Sequence, residues 1–407
     1  MQEIEKKVNI ALLKLLSKAL FGEEFDIELT SEELALLFEE SRHQTIAAIT
    51  FDVLPSKYSE VNPEIYQRWQ NYSMNVLSNN SKNLFENAAL TKLLSDAKIK
   101  HSTIKGFSSA QYYPKPYLRQ MGDIDFLVDK DDVSKTIELL EQEGFIKNDS
   151  DHKFHIGFRK NKTVYELHTQ ISFVPTGKED VLLFTEKIIP NSIKKRINGF
   201  DIIVPDIFSH GMIMLFHMQR HIEQGEGIGL RHLCDWAVFV NSLGNQKFVD
   251  TFEQKLKNIG LWKFARILTQ ICIKYLNMSF QDWVNPMDND LSESLLDDFL
   301  QSGNFGFKDI TRSQSSIFVN RSSEKKSYFK VVLASLKRKI MAWKPLCKKH
   351  EWLIPFAAVV YFFRILFQAI SGRKFMKISD LIKKGKHRNQ TYSELNFFDY
   401  DNDKKKN

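Results

Sequence analysis

Two aspartates, Asp123 and Asp125, flank Ile124 in the segment GDIDFLVD (Gly122 to Asp129), where Ile124, Phe126 and Val128 alternate with them as apolar residues. A strand places positions i and i+2 on one face, roughly 6.6 Å apart along the backbone. Both carboxylates therefore leave the sheet together while the apolar residues pack beneath. Two acids aimed at one point repel each other unless a cation lies between them. Mg²⁺ suits that position, since it takes oxygen ligands at about 2.0–2.1 Å and often binds substrate phosphates as well. Phosphoryl or nucleotidyl transfer, with Mg²⁺ (or Mn²⁺) as cofactor and an NTP as substrate, is the chemistry such a pair points to.

Two-metal transfer holds its ions about 3.5–4 Å apart and calls for a third carboxylate. Glu166, in the extended run from Thr163 to Ser172, is the candidate; it shares a strand face with Val164 and His168. Upstream lies KGFSS, Lys105 to Ser109. A glycine after a strand lets backbone N–H groups approach phosphate oxygens, and a helix start favours anions. Lys105, Ser108 and Ser109 could add contacts to a triphosphate around Gly106; a plain strand-to-helix turn with a capping Ser has the same spelling. Arg119 could grip a phosphate with two parallel bonds or neutralise the aspartates.

The elements that must position these residues read as α+β. Residues 1–98 are expected to be mostly helical, on the apolar spacing of Ile10, Leu13, Leu16 and Leu20, with breaks at Pro55 and Pro63. An α/β core is expected over 99–205. It opens with a short strand over Ile99–Ile104, followed by the Asp strand. A helix bearing Val133, Ile137 and Leu140 comes next, with Asp131 or Asp132 as its cap and Gly144 as its stop. His155–Lys160 and Thr163–Ser172, joined at Asn161-Lys162, read as a β-hairpin. A helical domain lining the cleft is expected over 206–285, interrupted by Gly225, Gly227 and Gly229. Residues 286–325 are polar and read as a linker or loop. Residues 326–407 read as a basic, apolar helical region ending in a disordered tail, Asp399–Asn407.

KGFSSAQYYPKPYLRQMGDIDFLVDKDDVSKTIELLEQEGF resembles the DNA polymerase β-like nucleotidyltransferase superfamily, and more closely the bacterial uncharacterised nucleotidyltransferase family. YELHTQI and HMQRHIEQGEGIGLRHLCDW resemble two further segments of that family. The resemblance implies a small mixed β-sheet core with N-terminal helices and a helical C-terminal half, a three-carboxylate Mg²⁺ site and NTP-dependent transfer. It matches Gly106 and Ser108 to a phosphate turn, Asp123 and Asp125 to the metal pair, and Glu166 to the third acid. One departure stands out: where the superfamily usually has Gly or Ser after the first Gly, this chain has Phe107. The likeness also suggests that His217, His221 and Arg231 contact phosphate or acceptor. Spacing alone allows a helix ion pair between Arg231 and Asp235, and gives HxxxH no clear third zinc ligand.

Composition bounds the partners. Three cysteines without CxxC spacing exclude a disulfide framework or zinc module and fit a reducing cytoplasm. From Arg321 onward 21 Lys and Arg face 7 Asp and Glu, a net +14, so the remainder of this +7 chain carries about −7. Within the basic end, Trp352 to Ser371 is nearly continuous apolar sequence, broken by Pro355 and Arg364. A buried or interfacial amphipathic helix is expected there, with peripheral contact to an anionic membrane ahead of a spanning helix or nucleic-acid binding. The acceptor is open between RNA or protein, as in toxin-like or defence enzymes, and a small molecule or surface-polysaccharide precursor. A catalytically inactive binding module is a third reading.

Overall fold

The computed structural model describes residues 2–148, 155–169, 171, 179–224, 227–306, 308 and 312, and toward the C-terminus 333, 336, 337, 339–341, 343, 344, 346–370 and 378–398. Five helices precede the sheet: α1 (Gln2–Phe21), α2 (Ser31–His43), α3 (Ala47–Phe51), α4 (Tyr58–Val61) and α5 (Pro63–Asp96). Thr30 begins α2 with a reciprocal cap, its hydroxyl accepting from Glu33 N while Glu33 Oε2 accepts from Thr30 N at 2.8 Å.

The sheet comprises β1 (His101–Thr103), β2 (Ile124–Val128), β3 (Ile146–Lys147), β4 (His155–Lys160) and β5 (Thr163–His168), in the order β1-β2-β5-β4-β3. The single-turn helix α6 (Phe107–Ala110) follows β1, and α7 (Val133–Gln142) follows β2. β2 and β5 run parallel; the other neighbouring pairs are antiparallel. The β4–β5 turn has positive φ at Asn161 (50°) and Lys162 (65°), the turn geometry whose twist suits a hairpin. Ile124, Phe126, Val128, Phe158, Tyr165 and Leu167 fill the core beneath the sheet, closed by Leu90 and Leu94 of α5 and Leu140 of α7. The opposite face is left for Asp125, Glu166 and His168.

A second hairpin, β6 (Ile193–Ile197) and β7 (Phe200–Val204), lies in a stretch the sequence reading leaves unassigned, although Asn198-Gly199 spells its turn. It packs Ile197, Ile202 and Val204 against Leu84, Phe107 and Met121. Helices α8 (Ile207–Gln224), α9 (Leu230–Leu243), α10 (Asn245–Asn258), α11 (Trp262–Leu276) and α12 (Asn289–Ser302) follow. Their apolar faces share one core with α1, α2 and α3. The segments expected separately as 1–98 and 206–285 are thus joined.

Helix α12 falls where polarity predicts a linker. Its buried residues Leu291, Leu295, Leu296 and Phe299 recur at helical spacing, and Asp288 caps it by accepting from Leu291 N at 3.1 Å. Acidic residues on the other face hide that stripe from a composition reading. Toward the C-terminus come α13 (Leu346–Lys349), α14 (Ile354–Ile370) and α15 (Ile378–Leu395). No helix among the described residues is long and apolar enough to cross a membrane. Gly225, most of 307–325, the end of the hairpin arm at Ser172 and the tail Asp399–Asn407 lie outside the described residues.

Candidate active site

Strand register brings the acids together. The parallel β2–β5 ladder sets Asp125 directly opposite Glu166, and Asp123 lies just before β2. One oxygen from each of Asp123, Asp125 and Glu166 lies within 4.8 Å of the others. Two positions beyond Glu166, His168 emerges on the same face; its Nε2 is 2.6 Å from Asp125 Oδ1 and 3.4 Å from Glu166 Oε2. His155 Nδ1 reaches Glu166 Oε2 at 3.1 Å, and Lys105 Nζ donates to Asp125 Oδ1 at 2.5 Å.

The electrostatics divide the acids. The Asp125 charge, burial and Glu166 push Asp123 up to about 7. Burial would raise Asp125, but Lys105 and His168 outweigh it and hold the carboxyl below its usual range. Burial likewise opposes ionisation of Glu166, and the hydrogen bond from His168 reverses it, so Glu166 is lowered. A hard divalent cation fits this donor set. Three carboxylate oxygens converge, and one acid is kept from ionising by the negative charge of the other two.

These groups open into a cavity of about 410 Å³. Lys105, Gly106 and Ser109 line one side, and His217, His221 and Arg231 from α8 and α9 line another. Gly106 has φ 45° and ψ −111°, a conformation reserved for glycine; a Cβ there would meet nothing within 4 Å, so the requirement is conformational. The helix start anticipated after it is a four-residue turn.

Several expected roles change. Ser108 is fully buried, does not line the cavity, and donates its hydroxyl to Thr103 O. Arg119 engages neither acid of the β2 segment: Nε and Nη2 bind the two oxygens of Asp235 at 2.6 and 2.7 Å, and Tyr113 Oη donates to Asp235 Oδ1 at 2.7 Å. The Arg231–Asp235 helix pair is consequently not made. Arg231 Nη1 donates instead to Gln120 O at 3.1 Å, and its guanidinium lies 5.6 Å from the Phe305 ring centre. Burial lowers Arg231 to about 10, which leaves it a cation at neutral pH.

His217 and His221 meet at 3.0 Å between Nε2 atoms, with the His232 ring nearby and tilted against both. Burial drives His217 and His232 well below the usual imidazole range, so they are neutral hydrogen-bonding groups at pH 7 and contribute no charge. Among the described residues they form no cluster able to hold a metal.

His155, His168, His232 and Phe305 are site residues the sequence reading did not single out. His168 was signalled by its period-two spacing from Glu166. Phe305 carried no signal, since it sits in the polar segment after α12. It enters the cavity because α9 approaches closely: a Cβ on Gly229 would lie 2.7 Å from both Asn304 N and Gln44 Oε1.

A family model described as "uncharacterised nucleotidyltransferase" matches residues 30–277. Among solved structures, an antigenic nucleotidyltransferase-like protein from Paracoccidioides brasiliensis is 14% identical with a TM-score of 0.33, over 49% of this chain and 95% of that one. No curated protein matches the sequence.

Proposed function

This chain belongs to the uncharacterised nucleotidyltransferase family, and on that premise we propose that it transfers an NMP from an NTP to an acceptor hydroxyl or phosphate. The convergence of Asp123, Asp125 and Glu166 across the β2–β5 ladder, beside the cavity, carries the reading. Those three carboxylates would hold Mg²⁺ or Mn²⁺, which when bound supplies charge neutralisation on the triphosphate and acidifies the acceptor. The acceptor oxygen attacks the α-phosphorus, the bond to the bridging oxygen of the β-phosphate breaks, and pyrophosphate leaves. Glu166, oriented by His155 and His168, either completes the acceptor-side ion position or receives the acceptor's proton. Lys105 and Arg231 offer positive charge to the phosphates, and Gly106 lets the backbone approach them. Arg119 is a positioning residue: tied to Asp235, it fixes the segment that delivers Asp123.

The test is incubation of the purified chain with each α-³²P-labelled NTP, Mg²⁺ or Mn²⁺ and a cell extract. Label on an acceptor, abolished by Asp125→Ala, is the expected result. No label from any NTP, with no difference in Asp123→Asn, would identify an inactive binding module. The labelled species separates RNA or protein from a small acceptor.

A peripheral membrane location is supported by α14 and the turn before it. Trp352, Phe356, Val359, Val360 and Phe363 are all more than half exposed, within a basic sequence that complements anionic lipid. Three buried free cysteines support the cytoplasm as the compartment. Salt-sensitive retention on phosphatidylserine vesicles, lost in Phe356→Asp with Phe363→Asp, is the expected outcome; equal retention on neutral vesicles argues against it.

A further inference from the structure

We propose that His155, Glu166 and His168 form a second, nitrogen-containing cation position, one that selects a borderline transition ion such as Zn²⁺, Fe²⁺ or Co²⁺ over Mg²⁺. It rests on the transferase reading only through Glu166 and Asp125, which serve both positions.

The strands build the position. In the antiparallel β4–β5 ladder His155 is the direct partner of His168, and Glu166 lies two residues before His168 on the same face. His155 Nδ1, a Glu166 oxygen and His168 Nε2 all lie within 4.8 Å of one another. Glu166 Oε2 is 3.1 Å from His155 Nδ1 and 3.4 Å from His168 Nε2. Ligands at about 2.0–2.2 Å from a shared ion sit about 3.0–3.6 Å apart, a spacing that both Glu166–imidazole distances already meet. Asp125 Oδ1, in hydrogen-bond contact with His168 Nε2 at 2.6 Å, could serve as a fourth donor after drawing back from that nitrogen.

Donor type sets the preference. Mg²⁺ favours oxygen and gives up water reluctantly, whereas imidazole suits zinc, iron and their neighbours. The trio of Asp123, Asp125 and Glu166 is all oxygen; the trio of His155, Glu166 and His168 is two-thirds nitrogen. Lys105 Nζ, 3.5 Å from His168 Nε2, is the nearby competing cation, and its long flexible stem lets it swing aside.

The experiment uses full-length, metal-stripped protein titrated with Co²⁺ alone and followed by proton NMR. Imidazole bound to Co²⁺ shows strongly shifted N–H resonances that vanish in D₂O. Two such resonances are expected at one equivalent, persisting in tenfold excess Mg²⁺. His155→Gln, at a partly exposed position, should keep one resonance and weaken Co²⁺ binding by at least tenfold. Circular dichroism verifies that the variant is folded. Absence of shifted exchangeable resonances, their displacement by equimolar Mg²⁺, or an unchanged spectrum in His155→Gln overturns the proposal. Shifted resonances in a protein that transfers no label preserve this site and sink the transferase reading; label transfer without the resonances does the reverse.

Discussion

Asp125 is gripped by Lys105 and His168 and faces Glu166 across the ladder. Removing its charge or that of Glu166 removes a donor aimed at the reacting centre, so Asp125→Asn and Glu166→Gln should each lower label transfer at least about 100-fold. Ser108 behaves otherwise. Its hydroxyl is spent on Thr103 O, and Ser108→Ala should cost about 1 kcal/mol in urea unfolding while leaving the KM for NTP unchanged. A raised KM would instead show that Ser108 turns toward phosphate. His210 sets an acid limit. It is fully buried against Tyr112 and Phe239, neither ring nitrogen has a hydrogen-bond partner among the described residues, and burial lowers it to about 4. Below pH 6.5 the unfolded chain takes a proton that the folded chain refuses. Stability present above that pH is therefore lost as the pH falls toward 4, by about 2 kcal/mol at pH 5 from this residue. Urea unfolding at pH 7 and pH 5 should show a smaller acid loss in His210→Phe than in the wild type.

At the scale of elements, the β1–β2 and β4–β5 strands and α7 were legible because their signals are local: period-two alternation, a helical stripe, and turn residues able to adopt positive φ. The acidic pair was legible for the same reason. Glu166 was named from its strand as the third acid, but its register opposite Asp125 and the contacts of His155, His168 and Lys105 with the acids were not legible, because register and parallel pairing are long-range properties that no local pattern encodes. Gly106 shows how an element constrains chemistry. Gly106→Ala would force a side chain into φ 45° with no steric neighbour, so a loss of about 1–3 kcal/mol by thermal or urea unfolding is expected from backbone strain alone. Helix α12 was missed because composition outweighed periodicity. Phe305 was missed with it, since the turn after α12 reaches the cavity only through the close packing of Gly229 on Asn304.

At the scale of the molecule, the sheet and the helices are fastened inside the structure. Arg119 comes from the segment entering β2 and Asp235 from α9, and both are nearly inaccessible to solvent. Asp235→Ala would leave the guanidinium buried without its carboxylate, and a destabilisation of about 3–5 kcal/mol is expected in urea unfolding. Gln44 makes a similar clasp, accepting from Leu230 N at 2.8 Å and donating to Phe299 O at 3.1 Å. A fragment ending near residue 205 would lose the carboxylate and most of the large core together.

The Arg119–Asp235 contact also resists any hinge between the two sides of the cavity. For those walls to swing apart, a cation would have to be drawn away from its counter-charge at a nearly buried position. Parting these walls therefore carries the penalty of a buried charge left without its partner, whatever is to enter between them.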